Sequence, residues 1–409
     1  MKKHVLIVGK RFSGLIKYLE ENGYDYTVLR DIKTAKFKDK KFKHRVLCDF
    51  SSDEKIIESL KQLKVQPDAV VSIYEAYISA AAFIAEYFGL FGLPREAAKA
   101  CTDKELMRKK FAEAPEKISP EFREIKSYND AREFAETHGF PLIMKPANLS
   151  KSLLVTKSEN FEELRKNYER SMATIEQVYK KYAPDATPKL LIEEFLVGHV
   201  YSVDAFVDAD GEPHVMREIV DYQTGYEVGY EDNFHYSRIL PTKLSADEQA
   251  ALLKCARLGC VALGMKNSPA HIEIIMTAGG PRIVEIGARN GGYRERMYRL
   301  ANGIDITGNM LRLAFGEKPE ISEMKNEPVA VLELFPFSPG EFVGLENEET
   351  LRKLPSLEYL SIKAEPSEFV GKSSDGYKAT AIIILHNSDA ERFAKDLDFV
   401  NSSVRVMTR

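Results

Sequence analysis

A chain of 409 residues is past the size at which a single hydrophobic core stops growing, so about two to three domains are expected. Apolar residues at 44%, charged residues at 29% and a net charge of −4 describe an ordinary globular protein, with no electrostatic case for nucleic acid or an anionic membrane as partner. No apolar run approaches the ~20 residues that span a bilayer, and the start MKKHVLIVGKRFSG has an apolar stretch of only Val5 to Val8, which reads as a first strand and not a signal peptide. Cys48, Cys101, Cys255 and Cys260 are scattered, and their closest spacing, CxxxxC, matches neither a zinc ribbon nor a redox pair. Reduced core thiols in a cytoplasmic protein are expected.

Strand and helix alternate from the N-terminus: HVLIVG (4 to 9), a helix near 13 to 22, YTVL (26 to 29), VLCDF (46 to 50), a helix from Asp53, AVVSI (69 to 73) and a helix to Tyr87. That alternation predicts a parallel sheet with helices on both faces, a Rossmann-like domain over residues 1–93. GKRFSG has neither the GxGxxG spacing nor the Gly-Lys-Ser/Thr ending of a phosphate loop, so it is read as a tight turn.

Gly92 and Pro94 punctuate a boundary, and CTDKELMRKKF then opens a helix capped by Thr102 or Asp103. Lys104 falls in its first turn, against the helix dipole; a phosphate partner accounts for it, and so does plain solvation, the usual state of a lone lysine. FREIKS reads as a strand and Tyr128 to His138 as a helix ended by Gly139. Lys145 closes the apolar strand PLIM, where burial without an anion would be costly. Ser150, Lys151 and Ser152 before LLVTK suggest a backbone flap over a phosphate. A long helix, Phe161 to Tyr182, leads to the strand KLLIEEF and to YSVDAFV, whose hairpin turns at DADG. Tyr222, Tyr226, Tyr230, Phe234, His235 and Tyr236 crowd one stretch that either lines a pocket as a lid or packs as a loop.

HIEIIM and RIVEI alternate as strands around a five-residue loop, TAGGP. If the loop is symmetric about Gly279, Glu273 and Glu285 stand opposite each other with Cβ atoms about 5 Å apart. Such a pair repels unless water screens it or a cation sits between, and hard carboxylate oxygens without a Cys or His cluster imply Mg²⁺ or Mn²⁺. Arg289 follows, with a guanidinium fork suited to phosphate or carboxylate. His271 shares the strand face of Glu273, either to polarise an intermediate or as a core histidine. Arg294 and Arg296 either bind a second carboxylate or are ordinary surface residues. Beyond Gly316 the pattern becomes α+β, a domain expected to cover the cleft or build an oligomer interface, in a homodimer for instance.

LIMKP, LLIEEFLVGHVYSVDAFVD, AHIEIIM and IVEIGARNGG, in that order, resemble the ATP-grasp superfamily of ATP-dependent carboxylate-amine ligases, from about Pro94 to Gly316. The resemblance implies a multidomain α/β and α+β fold: an N-terminal Rossmann-like (pre-ATP-grasp) domain, an ATP-grasp domain over 94–317 with a small lid subdomain at about 118–195, and a C-terminal α+β domain over 318–409. It assigns ATP phosphates to Lys104 and Lys145, with Lys151 adding charge in the flap, and the adenine edge to Glu193, Glu194, Phe195 and Leu196. Glu273 and Glu285 match the ligands of Mg²⁺ (or Mn²⁺), and Arg289 the catalytic arginine that holds the carboxylate or its acyl phosphate. The substrate side falls to His271, His235, Arg294 and Arg296. A small carboxylate, such as an amino acid, would be activated by ATP and joined to an amine with release of ADP and phosphate. The other readings are a non-catalytic ATP-binding protein and a biotin-carboxylase-like enzyme. Three departures stand out: ANLSKSLL carries no glycine where many members have a glycine-rich flap, Gly287 replaces a metal-binding asparagine, so that a second Mg²⁺ either binds less tightly or leans on Asn290, and Val200 stands where an acidic residue often holds the ribose.

Overall fold

The computed structural model describes residues 2–35, 44–149, 153–182, 186–232, 234–321 and 325–409. Four strands near the N-terminus, His4–Gly9, Asp25–Asp31, Arg45–Cys48 and Ala69–Val71, form a parallel sheet in the order third, second, first, fourth. All six residues of the first strand are buried, as a β-branched run in a sheet covered on both faces requires. Helices Ser13–Glu21, Asp53–Leu60 and Ile78–Phe88 supply the cover. Gly9 has φ +103°, and a Cβ there would lie 2.2 Å from the Tyr77 ring, so this turn needs glycine to let an aromatic side chain approach.

A second, four-stranded sheet runs in the order Phe122–Ile125, Leu190–Glu194, Leu142–Pro146, Thr156–Ser158. Helices Tyr128–His138 and Phe161–Tyr182 pack on it through Ala131, Phe134, Leu164 and Ile175. Ser127 and Asp130 form a capping box at the start of the first helix, and Gly139 ends it.

The largest sheet has nine strands. From one edge it runs Gly280–Gly287, Ser268–Thr277, Gly198–Val207, Val220–Thr224, His235–Leu240, Val329–Leu334, Ala381–His386 and Leu357–Ile362, with Pro213–Val215 paired to Gly198–Val207. The strands beyond Gly316 therefore continue the central sheet through the ladder between His235–Leu240 and Val329–Leu334. Three short strands, Phe369–Val370, Gly340–Leu345 and Val406–Thr408, make a small sheet beside it. The last helix spans Ala390–Ser403, past the Asp389 to Leu397 read from sequence, because Val400 is fully buried.

Of the two readings of the aromatic stretch, the packed one holds. Val220–Thr224 and His235–Leu240 are interior strands, and Tyr222, Tyr230, Phe234 and Tyr236 are buried core residues, not a lid; Tyr226 alone of the tyrosines there is turned out, at 62% exposure. Their aromatic density obscured the period-two pattern. All four cysteines are free and buried, and burial pushes each thiol up, Cys48 to about 11 and Cys255 and Cys260 to about 12. No helix among the described residues is long and apolar enough to cross a membrane.

Candidate active site

Glu273 and Glu285 are direct partners in the hairpin ladder, but not by way of the symmetric loop expected from sequence. The turn is tighter: Thr277 pairs with Gly280, leaving Ala278 and Gly279 as a two-residue loop instead of TAGGP. Counted from that turn, Glu273 would face Val284. A bulge after the Ile274–Ile283 pair inserts Val284 as an unpaired residue and brings Glu285 opposite Glu273. The expected pairing thus results from a tight turn plus a bulge.

Lys104 is the first residue of helix Lys104–Ala112, whose N-cap is Asp103. Its Nζ pairs with Glu285 Oε2 at 3.3 Å and donates to the Leu149 carbonyl at 3.2 Å, at the root of the flap. Asn148 donates to Asp103, and Tyr179 donates to Asn148, so that root is bonded to the helix start. Lys151 lies outside the described residues. Lys145 is buried and pairs with Glu193 Oε2 at 2.7 Å. Burial lowers its ammonium to about 8 against the pull of Glu193. Burial also opposes the charge on Glu193, yet Arg108 and Lys145 outweigh it and hold this carboxylate below its usual range.

Glu193 is therefore engaged by cations, which departs from an adenine-reading side chain. The Glu194 carboxylate accepts from the Glu121 amide and Lys117, and the Phe195 amide donates to the Pro141 carbonyl. Leu196 follows the strand end. Val200 packs toward the core and offers a ribose no acceptor.

Behind the hairpin lies a buried polar foundation. Asp204 and His271 are ladder partners, with His271 Nδ1 2.8 Å from Asp204 Oδ1. Asp204 Oδ2 accepts from Arg294 Nε at 3.0 Å and from the Tyr298 hydroxyl at 2.7 Å. Burial works against both charges, but the pairing wins: Asp204 is held well below the usual carboxylate range and His271 is raised to about 10. The imidazolium in turn faces Glu273 at 3.7 Å, and this neighbour, with His235 and Arg289, overcomes burial and lowers Glu273 to about 2. The expectation that Arg294 binds a substrate carboxylate is corrected here: it is 1% exposed and its donors are taken by Asp204, Ser202, Tyr222 and Gly292 O. Arg296 also lies apart from the carboxylates, paired with Glu358 at 3.2 Å and set over the Tyr359 ring. His235 packs against Tyr222 with the rings tilted by 57°, and burial lowers its imidazole.

Arg289 points back toward the N-terminal sheet, where its Nε donates to Glu75 Oε2 at 2.9 Å. Glu75 follows the strand Ala69–Val71, at the carboxyl end of a parallel sheet, where such folds bind ligands. Burial raises its carboxyl, with Arg289 opposing. The same oxygen lies 3.0 Å from where a Cβ at position 287 would stand. Gly287 thus leaves the notch that Glu75 enters, while the Asn290 amide turns to the Met310 sulfur at 3.8 Å. Gly287→Asn is expected to press on Glu75 and break its bond to Arg289. Where Arg289 holds a substrate carboxylate, as proposed below, loss of one charge-assisted contact of about 1.5–3 kcal/mol corresponds to a KM for that substrate roughly 10-fold to 100-fold higher. A KM that stays put would show that the contact does not orient Arg289.

Among the described residues no three His, Cys, Asp or Glu side chains converge as a closed metal cage. An open pair of carboxylates with cations for a polyphosphate is what Mg²⁺ accepts, since it usually takes one or two carboxylates and completes its shell with water and phosphate. Asp204, Arg108 and Glu75 were missed in the sequence. Asp204 was signalled by an acid among the inward residues of YSVDAFV, Arg108 by a cation on the buried face of its helix one turn after Lys104, and Glu75 by its place at a strand end.

The arrangement sets Lys104, at a helix start, against the carboxylate hairpin and Lys145, from the four-stranded sheet, against Glu193, within an α/β architecture. The ATP-grasp domain family matches residues 138–295. The chain is similar to alanine–anticapsin ligase of Bacillus subtilis (strain 168), 26% identical over 304 residues that cover 69% of this chain and 63% of that protein. In fold it is similar to an L-amino acid ligase from Bacillus licheniformis, with a TM-score of 0.82 at 17% identity, over 100% of this chain and 99% of the other. It also resembles phosphoribosylglycinamide synthetase from Anaerococcus prevotii, with a TM-score of 0.72 at 18% identity and 100% of both chains covered. Residues 138–295 thus match the ATP-grasp domain family, and the chain shares its fold with these solved structures.

Proposed function

We propose that the protein is an ATP- and Mg²⁺-dependent ligase that activates a small carboxylate as an acyl phosphate and joins it to an amine, releasing ADP and phosphate. The observation that carries this reading is the convergence of Glu273 and Glu285 in one register with Lys104 on Glu285 and with Arg289 four residues beyond. Glu273 and Glu285 would hold Mg²⁺, and Mn²⁺ satisfies the same oxygen donors. When bound, the ion neutralises charge spreading over the γ-phosphate oxygens. Lys104 and Lys145 bind the phosphates, and ATP entry exchanges the Lys104 contact with Glu285 for phosphate oxygens. Arg289 orients the carboxylate for in-line attack and holds the acyl phosphate until the amine displaces phosphate. No side chain acts as covalent nucleophile.

The finer assignment is an α-amino acid as the activated substrate. Arg289 and Glu75 offer adjacent positive and negative groups, and a zwitterion can satisfy both by taking the guanidinium with its carboxylate and Glu75 with its ammonium. The alanine–anticapsin ligase resemblance supports the same class.

The test is ADP release against pooled amino acids and other small carboxylates, with hydroxylamine as the trap for an acyl phosphate. A hydroxamate formed from one pool supports the proposal. Tight ATP binding with no hydroxamate under any pool favours the non-catalytic reading motivated by Gly287 and the glycine-free flap, and ADP release that depends on bicarbonate favours a carboxylase.

A further inference from the structure

The bulge that aligns the two carboxylates is held by a side chain from elsewhere. Arg108 lies one turn beyond Lys104 on helix Lys104–Ala112 and is 1% exposed. Its Nη2 donates to the Val284 carbonyl at 2.8 Å and to Glu193 Oε2 at 3.2 Å, while Nε donates to Glu193 Oε1 at 3.0 Å. Glu193 in turn holds Lys145. One guanidinium therefore links three elements: the helix that presents Lys104, the hinge strand that fixes Lys145, and the bulge that aims Glu285.

An inserted residue falls out of the strand ladder, and a carbonyl left unpaired there is costly unless another donor reaches it. Arg108 reaches it. The charge balance also carries information: two buried cations, Arg108 and Lys145, share one buried carboxylate, Glu193. One positive charge remains uncompensated inside this group. Arg108 Nη1 is buried and has no hydrogen-bond partner among the described residues. A site with surplus positive charge between two grips suits a polyphosphate.

We propose that Arg108 is a positioning residue that sets Glu285 against Lys104 and Lys145, so that the nucleotide grip and the metal hairpin act as one unit. The proposal rests on the function above only in taking a magnesium nucleotide as ligand. Arg108 itself acts through the Val284 carbonyl and Glu193. Both contacts need the planar fork: a lysine keeps the charge but cannot bond Glu193 through two nitrogens and Val284 O together.

The experiment measures binding of a fluorescent ATP analogue to the full chain as Mg²⁺ is titrated, for wild type, Arg108→Met and Arg108→Lys, with a melting curve for each. Loss of an outer-shell partner typically weakens metal binding about 10-fold to 100-fold. Arg108→Met is expected to raise the half-saturating Mg²⁺ concentration by at least ~10-fold, and Arg108→Lys by a smaller factor. A purely structural residue would lower the melting temperature and leave the Mg²⁺ half-point within about twofold of wild type, and that result in the folded variants overturns the proposal. If Arg108→Met does not fold, Arg108→Lys decides by the same criterion. Wild type that binds the magnesium nucleotide but makes no hydroxamate overturns the ligase reading and leaves this test standing. Wild type that binds none overturns both.

Discussion

Glu285→Gln is expected to lower ADP formation by ~10³-fold or more while the protein stays folded. The amide keeps the shape of the side chain but removes one of the two negative charges that the hairpin presents at a single register position. A bound metal supplies several kcal/mol of transition-state stabilisation, and about 4 kcal/mol corresponds to ~10³ in rate. The stability change should stay within about 1 kcal/mol. Glu285 is 37% exposed at its side chain, so its pair with Lys104 is worth about 0–1 kcal/mol, and relief of repulsion from Glu273 offsets part of that. Steady-state ADP release and a melting curve on the same preparation check both halves. Turnover close to wild type would remove Glu285 from the metal site.

The largest loss of stability is expected from Asp204→Ala. Asp204 is buried and accepts from His271, Arg294 and Tyr298. Removing it leaves Arg294 buried without that counter-charge and takes from His271 and Tyr298 their shared acceptor. Breaking a buried pair in this way costs about 3–5 kcal/mol, because the partner charge stays behind. Urea unfolding measured near neutral pH should show a lower midpoint, with little change in slope, whose shift multiplied by that slope gives this loss. The sign of its pH dependence follows from the low folded-state value of the carboxyl: the Asp204 contribution is present above the unfolded value near 3.9 and disappears as the pH falls through the folded one. A loss under about 1 kcal/mol would mean that water or a rearranged neighbour takes its place.

Much of this architecture was legible in the residue pattern, because local periodicity and caps decided it. The parallel sheet followed from short apolar strands alternating with amphipathic helices, and the helix start at Thr102 or Asp103 from cap chemistry, with Asp103 the cap in the structure. The carboxylate pairing was legible too, although for an incomplete reason: two compensating departures, a shorter turn and one bulged residue, cannot be separated by counting along the chain. What escaped were contacts between distant segments. Arg108 reaches Val284 across 176 positions, and Arg289 meets Glu75 across 214. Nothing local in sequence encodes either. Arg294 and Arg296 misled for the opposite reason, since a guanidinium after paired glycines looks the same in sequence whether it faces solvent, a ligand or a buried aspartate.

The unbroken ladder between His235–Leu240 and Val329–Leu334 has a practical corollary for shortened versions of this protein. Cutting the chain near residue 318 to isolate a minimal catalytic fragment would strip a neighbour from an interior strand and leave its amides and carbonyls open along Ser237 to Leu240. A bare margin of that kind recruits other chains, so such fragments should precipitate or self-associate. Excision at the opposite end, before Arg95, severs no strand pairing of that sheet, but it deprives Arg289 of Glu75.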